Sequence, residues 1–285
     1  MKRFNLFSTL PAETPLFQKC RRIPVSLAEI TGGGAFLTAL LFTLIDIRLA
    51  AIPLSLFLAI CLIAPFLPRF SFFLPIISQG QSGLKAVALT YDDGPDPQTT
   101  PALLRLLQRY EVSATFFVTG QKALRHPELI RQILACGHTI GNHSYSHDNL
   151  VMLKSSETLM YEVKRTQEVL AAFGIRPLAF RPPVGITNPR LRPVLDDLNM
   201  FTLNFSRRPI DFGNRRIKNL GARILAHIQP DDIILLHDVT PPQTALLSCW
   251  LKEIELILAG LKTQGFTILS LDELTGRPVM LKLSS

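Results

Sequence analysis

Two kinds of apolar patterning divide the chain. From Leu49 to Pro68 the sequence LAAIPLSLFLAICLIAPFLP runs for about 20 residues without a charge, the length of helix that crosses a bilayer core. Pro53 and Pro65 bend such a helix but do not exclude it. A second uncharged stretch, Thr31 to Ile45, reaches spanning length when extended back to Leu27, at the cost of including Glu29. Asp46, Ile47 and Arg48 then form a tight turn, so an N-terminal transmembrane helical hairpin is predicted.

Beyond about Lys85 the pattern changes to short apolar runs separated by helical periodicity. AVALTYDD reads as a strand, and Leu103, Leu104, Leu107 and Tyr110 fall at helical spacing in the segment that follows. ATFFVTG is the next strand, and PELIRQILACG is a helix closed by Gly137. TIGNHS, then the long helix SSETLMYEVKRTQEVLAAFG closed by Gly174, continue the alternation. LAFRPP, MFTLNFS, DDIILLHD and FTILSLDEL read as later strands. Repeated βα units argue for an α/β domain with a parallel sheet, and about seven strand candidates favour closure into a barrel. The expected organisation is a basic segment at 1–26, a two-helix membrane anchor at 27–69, a Gly/Ser/Pro-containing linker at 70–84, the α/β domain at 85–275 and a tail at 276–285.

Composition sharpens this division. Only 18% of the residues are charged and the mean hydropathy is +0.26, an excess concentrated in the N-terminal runs. The net charge of +8 divides about equally between residues 1–83 and the remainder. No basic run is interleaved with aromatics, so nucleic acid is not an expected partner. Lys2, Arg3, Lys19, Arg21 and Arg22 precede the first span and Arg69 follows the second. The positive-inside rule then puts both flanks in the cytoplasm, with a cytoplasmic catalytic domain at the inner membrane. A single span would put that domain outside. The apolar region begins late and is long for a cleaved leader, so a retained anchor is expected. Cys20, Cys61, Cys136 and Cys249 are scattered; neither a disulfide framework nor a Cys zinc site is expected, and buried inert thiols are.

In βα architectures the chemistry collects at the C-terminal ends of strands. Asp92 and Asp93 end the first strand, His143 and His147 follow the third, Arg181 the fourth, Asp211 the fifth, and His237 ends the sixth. H-x-x-x-H alone is a weak metal signal. One carboxylate with two imidazoles, however, is a zinc-compatible set that leaves positions open for a water. One Asp of the pair can ligate the cation while its neighbour takes a proton from that water. The alternative for D-D-G-P is a solvated acidic turn. Alone, Arg181 reads as a surface residue and His237 as a core one, and His126, His138 and His227 are expected to be structural.

Together, T-Y-D-D-G-P-D, H-S-Y-S-H, R-P-P-V-G and L-L-H-D, in this order, resemble the NodB-homology polysaccharide deacetylases, carbohydrate esterase family 4, over roughly residues 85–272. The resemblance implies a distorted (β/α)7–8 barrel that uses zinc or a related divalent ion. It implies Asp93, His143 and His147 as metal ligands and Asp92 as general base, held ionised and oriented by Arg181. It implies His237 as the acid that protonates the leaving amine, Asp211 as the partner raising its pKa, and the Val184 N–H as an oxyanion donor. Val184 stands where many relatives carry Tyr, and Phe212 where many carry Trp. The implied activity is removal of an N-acetyl group from an amino sugar. A cytoplasmic site at the membrane suggests a polyprenyl-phosphate-linked substrate. The alternatives are an exported deacetylase acting on peptidoglycan or a surface polysaccharide, and a membrane-anchored glycan-binding module without turnover.

Overall fold

A computed structural model describes residues 25–283. The basic segment before residue 25, with Cys20, lies outside the described residues. The chain opens on α1 (Leu27–Thr43), and a 3-10 turn at Ile47–Ala50 leads into α2 (Ala51–Ile63). Ser26 and Glu29 form a reciprocal capping box on α1. Asp46, expected to open the turn between the helices, caps this 3-10 turn, accepting from the Arg48 N–H at 2.8 Å. The two helices pack closely enough that a Cβ on Gly32 would lie 2.9 Å from the Phe57 ring. Their outer faces stay exposed, with Phe36, Leu40, Leu41, Leu56 and Leu62 all more than half accessible. Ile47–Phe66 forms one continuous helical stretch of 20 residues, long and apolar enough to cross a membrane, whereas α1 is shorter at 17.

The α/β domain alternates as the periodicity predicts. Its elements are β1 (Ile76–Ile77), β2 (Ala86–Gly94), α3 (Thr99–Arg109), β3 (Thr115–Val118), α4 (Gly120–Arg125), α5 (Pro127–Ala135) and β4 (Thr139–Asn142). Then come α6 (Ser156–Ala171), β5 (Ile175–Pro177), β6 (Ala179–Phe180), α7 (Leu191–Asp197), β7 (Phe201–Leu203), α8 (Leu220–Leu225), β8 (Asp232–His237), α9 (Leu247–Thr263), β9 (Thr267–Ile268), α10 (Leu271–Thr275) and β10 (Met280–Lys282). The main sheet is parallel, in the order β1-β7-β6-β4-β3-β2-β8, with β9 also on β2. It curls into a half-barrel. Rather than closing as a ladder, it is laced by isolated bridges from Arg207 and Gln79 to β8.

Strand parity sorts the core. Val87, Leu89 and Tyr91 of β2, with Ile234 and Leu236 of β8, pack against the helices. Ala86 and Ala88, with Ile233 and Leu235, face the interior with Phe117, Leu203 and Phe205. Side chains alternate along a strand, so Thr90 and Asp92 continue the inner row of β2 and His237 that of β8.

Several expectations are corrected. Residues 70–84 are part of the fold: Phe72 and Leu74 are buried, and β1 pairs with β7, because the apolar side chains outweigh the Gly and Ser around them. The tail also folds, with Val279 fully buried and β10 antiparallel to β5. FTILSLDEL is a two-residue strand followed by a helix, since Ser270 and Glu273 make a capping box that starts α10. Of the described cysteines, all free, Cys136 and Cys249 are exposed and not buried.

Gly141 shows how tight the interior is. A Cβ there would overlap two ring atoms of the fully buried Phe117. Gly141→Ala is expected to cost about 1–3 kcal/mol by overpacking, measurable as a lower midpoint in denaturant.

Candidate active site

The site forms where β2, β4, β6 and β8 end. Asp92 and His237 are register partners on neighbouring strands, so parity brings both side chains to the same face. Asp93 would point the other way on a regular strand. The register shifts between Asp92 and Gly94, and Asp93 takes a left-handed φ of 70°. This bulge lets two consecutive carboxylates serve one cavity. The Lys122 ammonium donates to the Asp93 carbonyl at 2.6 Å and holds the irregular backbone.

The two histidines do not lie on a helix. His143 follows β4, and His147 sits in a turn at φ 56°. Glu162, buried on α6, accepts from the N–H groups of Tyr145 and Ser146 and from the Ser146 hydroxyl at 2.8–2.9 Å, pinning that turn. Asp93, His143 and His147 bring one ligand atom each within 4.8 Å of one another. Asp93 Oδ1 is 2.8 Å from His147 Nε2 and 3.2 Å from His143 Nε2. Although buried, it has no hydrogen bond of acceptable angle to either.

His143 has a second partner. Its Nδ1 lies 2.7 Å from the Arg181 carbonyl, which can only accept. With Nδ1 donating there, a neutral ring turns its Nε2 lone pair toward the carboxylate. Lone pairs converging on one point suit a divalent cation. The set fits such an ion, with Asp93, His143 and His147 as the groups that would hold it.

Two acid–base pairs flank this cluster. Arg181, 1% exposed, donates through Nη1 to Asp92 Oδ1 at 2.6 Å and to Thr90 Oγ1 at 2.7 Å, and through Nη2 to the Asn204 carbonyl at 2.9 Å. Its guanidinium lies 4.0 Å from the centroid of the Phe117 ring. Far from being a surface residue, it fills the half-barrel's interior. His237 Nδ1 lies 2.9 Å from Asp211 Oδ2. Burial alone would push the His237 pKa down. The hydrogen bond and charge of Asp211, with the charges of Asp93 and Asp92, outweigh that and raise it to about 9.

The other residues named from the motifs lie around this cluster or apart from it. Val184 is half-exposed in the turn after Arg181, at φ 53°, with the N–H groups of Gly185 and Ile186 tied to Pro182 and Pro183. Phe212 is exposed beside Asp211. His138 is a core residue: its Nδ1 accepts from the Ala114 N–H and burial lowers its pKa to about 4. His126 pairs weakly with Glu128 at 3.5 Å. Thr90, Glu162, Asn204 and Lys122 support the site although no motif marks them. The one signal for Glu162 is a carboxylate on the inward face of an amphipathic helix.

A parallel half-barrel with a metal-competent triad and two charge-paired acid–base groups at its strand ends has the equipment of a hydrolase. The chain belongs to the polysaccharide deacetylase family, whose profile matches residues 79–203. It is 32% identical over 203 residues to a chitooligosaccharide deacetylase of Azorhizobium caulinodans, covering 67% of this chain and 94% of that one. It is 33% identical to a peptidoglycan-N-acetylglucosamine deacetylase of Bacillus cereus, covering 67% and 88%. The crystal structure of the Bc1960 peptidoglycan N-acetylglucosamine deacetylase superposes with a TM-score of 0.64 at 30% identity, over 72% of this chain and 94% of that one.

Proposed function

We propose that the chain removes an N-acyl group, most simply acetyl, from an amino sugar in a lipid-linked or envelope saccharide. The observation that carries this reading is the Asp93–His143–His147 cluster beside an Asp92 held by Arg181 at 2.6 Å. A bound zinc or similar divalent ion would supply Lewis acidity to the acyl carbonyl and to a water. Asp92 takes a proton from the attacking water as the water oxygen bonds to the acyl carbon. Arg181 orients Asp92 and offsets its charge. The Val184 N–H donates to the oxygen on which negative charge develops. His237, charged and with Nδ1 held by Asp211, gives its Nε2 proton to the sugar nitrogen as the C–N bond breaks. A carboxylate and a free amine leave.

The decisive experiment follows amine release from N-acetylglucosamine oligomers and lipid-linked amino sugars, with and without chelator, alongside metal analysis. Chelation should abolish turnover and a divalent ion should restore it. Turnover that ignores chelation overturns the metal mechanism, and saccharide binding without release in any metal state leaves the binding-module reading.

The donor predicts a pH profile. The pKa of His237 is raised to about 9, so the acid is charged below that pH and the rate falls as pH climbs through it. In Asp211→Asn the hydrogen bond to a charged partner and the largest of the charges that oppose burial are gone, so this alkaline limb moves toward acid. Stability follows the same sign. The His237–Asp211 contribution is fully present below the ordinary histidine pKa and is lost as pH rises through about 9. It should vanish from the pH dependence of unfolding in the variant.

The membrane setting bears on the substrate. Two apolar helices with exposed outer faces call for a cover, and a bilayer supplies it. As a two-pass hairpin they leave the domain in the cytoplasm, where a polyprenyl-phosphate-linked sugar is within reach and an assembled glycan is not. The second reading is export behind a single span to act on peptidoglycan. It is favoured by the Bacillus cereus relative's activity and by there being only one helix of full spanning length among the described residues. A reporter fused after Leu84 distinguishes them: activity confined to the periplasm rejects the hairpin topology.

A further inference from the structure

The loop joining β7 to α8 carries five basic residues, Arg207, Arg208, Arg215, Arg216 and Lys218, and one acid. That acid, Asp211, is buried against His237, and Arg207 pairs with Asp232 at 3.3 Å. Arg208, Arg215, Arg216 and Lys218 are exposed and form no ion pair among the described residues. Between them Ile210 and Phe212 are 52% and 67% exposed, both at left-handed φ, 54° and 53°. A branched side chain held in that conformation is an outlier. Here the strain presents apolar surface outward, between cations.

This loop lies beside the place where the apolar hairpin joins the domain. The Arg208 guanidinium is 5.5 Å from the centroid of the Phe205 ring. A Cβ on Gly185 would lie 3.5 Å from both Phe205 and Pro68. The Thr187 N–H donates to the Pro65 carbonyl at 3.3 Å, and Asn204 Nδ2 to the Pro68 carbonyl at 2.8 Å. Phe66 and Leu67, between Pro65 and Pro68 on that segment, are exposed, as is Val184 beside Gly185. The end of the 20-residue apolar helix is thus tied to the rim of the active site. Where that helix leaves a bilayer, the rim meets the bilayer surface.

We propose that this rim docks on an anionic membrane. Val184, Ile210 and Phe212 enter the headgroup–acyl boundary, and Arg208, Arg215, Arg216 and Lys218 lie against lipid phosphates, so that the catalytic cleft opens along the bilayer. The charge selects the occupant: unpaired cations interleaved with exposed apolar side chains match an anionic interface, whereas a neutral glycan offers them no counter-charge. The inference rests on the membrane placement of the hairpin proposed above. It goes further in giving the catalytic domain a lipid contact of its own.

The test uses the full-length chain reconstituted in vesicles of phosphatidylglycerol and phosphatidylcholine containing lipid brominated on its acyl chains. Phe212→Trp and, independently, Ile210→Trp report on the rim. Leu256→Trp, exposed on α9, is the control, and the native Trp250 is fully buried and gives a constant background. The rim variants should emit further to the blue and be quenched by brominated lipid, the control should not, and high salt or pure phosphatidylcholine should remove the difference. Replacing the four cations by Gln should bring rim quenching down to the control level while the chain still floats with the vesicles. Rim variants that behave like Leu256→Trp in a floating chain overturn the proposal and leave the hairpin intact. A response to soluble chitooligosaccharide with none to lipid also overturns it, in favour of a glycan subsite. A chain that does not float overturns the hairpin and the rim together.

Discussion

Asp92→Asn is expected to lower amine release by about a thousandfold, within the range lost when a general base is removed, and to leave the metal content unchanged. The geometry separates the two aspartates. Asp92 Oδ2 stands 4.0 Å from His143 Nε2, whereas Asp93 Oδ1 lies 2.8 and 3.2 Å from the two imidazole nitrogens. The substituted amide is isosteric with the carboxylate and can still accept from Arg181, but it cannot take a proton. The fall should therefore appear in kcat with KM little changed. Asp93→Asn should lose metal and activity together. Elemental analysis beside kinetics tests the division of roles, and an Asp92→Asn protein that loses its metal would refute it. The same change leaves the buried Arg181 guanidinium without its counter-charge. A cost of up to about 3–5 kcal/mol is expected, so turnover should be measured well below the lowered melting temperature.

Patterning revealed what is local. The strand ending in Asp92-Asp93, the amphipathic helices and the uncharged N-terminal runs are each legible within a window of about ten to twenty residues. That two carboxylates share the end of β2 is legible too. Which of them faces the imidazoles is not, because the choice is made by a bulge and a left-handed φ at Asp93. The buried polar network was hidden for a different reason. Thr90 and Arg181 are 91 positions apart, and Asn204 and Pro68 are 136 apart. Such pairs leave no periodic trace. Thr90 looks like any β-branched strand residue until the inner row of β2 is known. The segment at 70–84 misled because its Gly, Ser and Pro signal turns. Phe72 and Leu74, which decide its fate, are only two residues.

Arg181→Met should be the most damaging single change to the fold around the site. The Arg181 side chain serves two side-chain and two backbone acceptors: Asp92, Thr90, and the carbonyls of Leu203 and Asn204. Removing it leaves a buried carboxylate unpaired, which by itself costs about 3–5 kcal/mol, and strands the two carbonyls besides. Lysine should rescue poorly. Its ammonium is a point donor and cannot span acceptors on opposite sides of the half-barrel, nor reproduce the planar guanidinium that sits 4.0 Å from the Phe117 ring centroid. Asp92→Asn combined with Arg181→Met tests the physics directly. Each single variant strands one buried charge, whereas the double variant strands none. The double should therefore unfold at higher denaturant than Arg181→Met alone, with a strongly non-additive cycle, while remaining as inactive as Asp92→Asn. Additive losses of stability would mean that Arg181 acts through packing alone. Its bond to Asp92 would then be no part of what holds the site in shape.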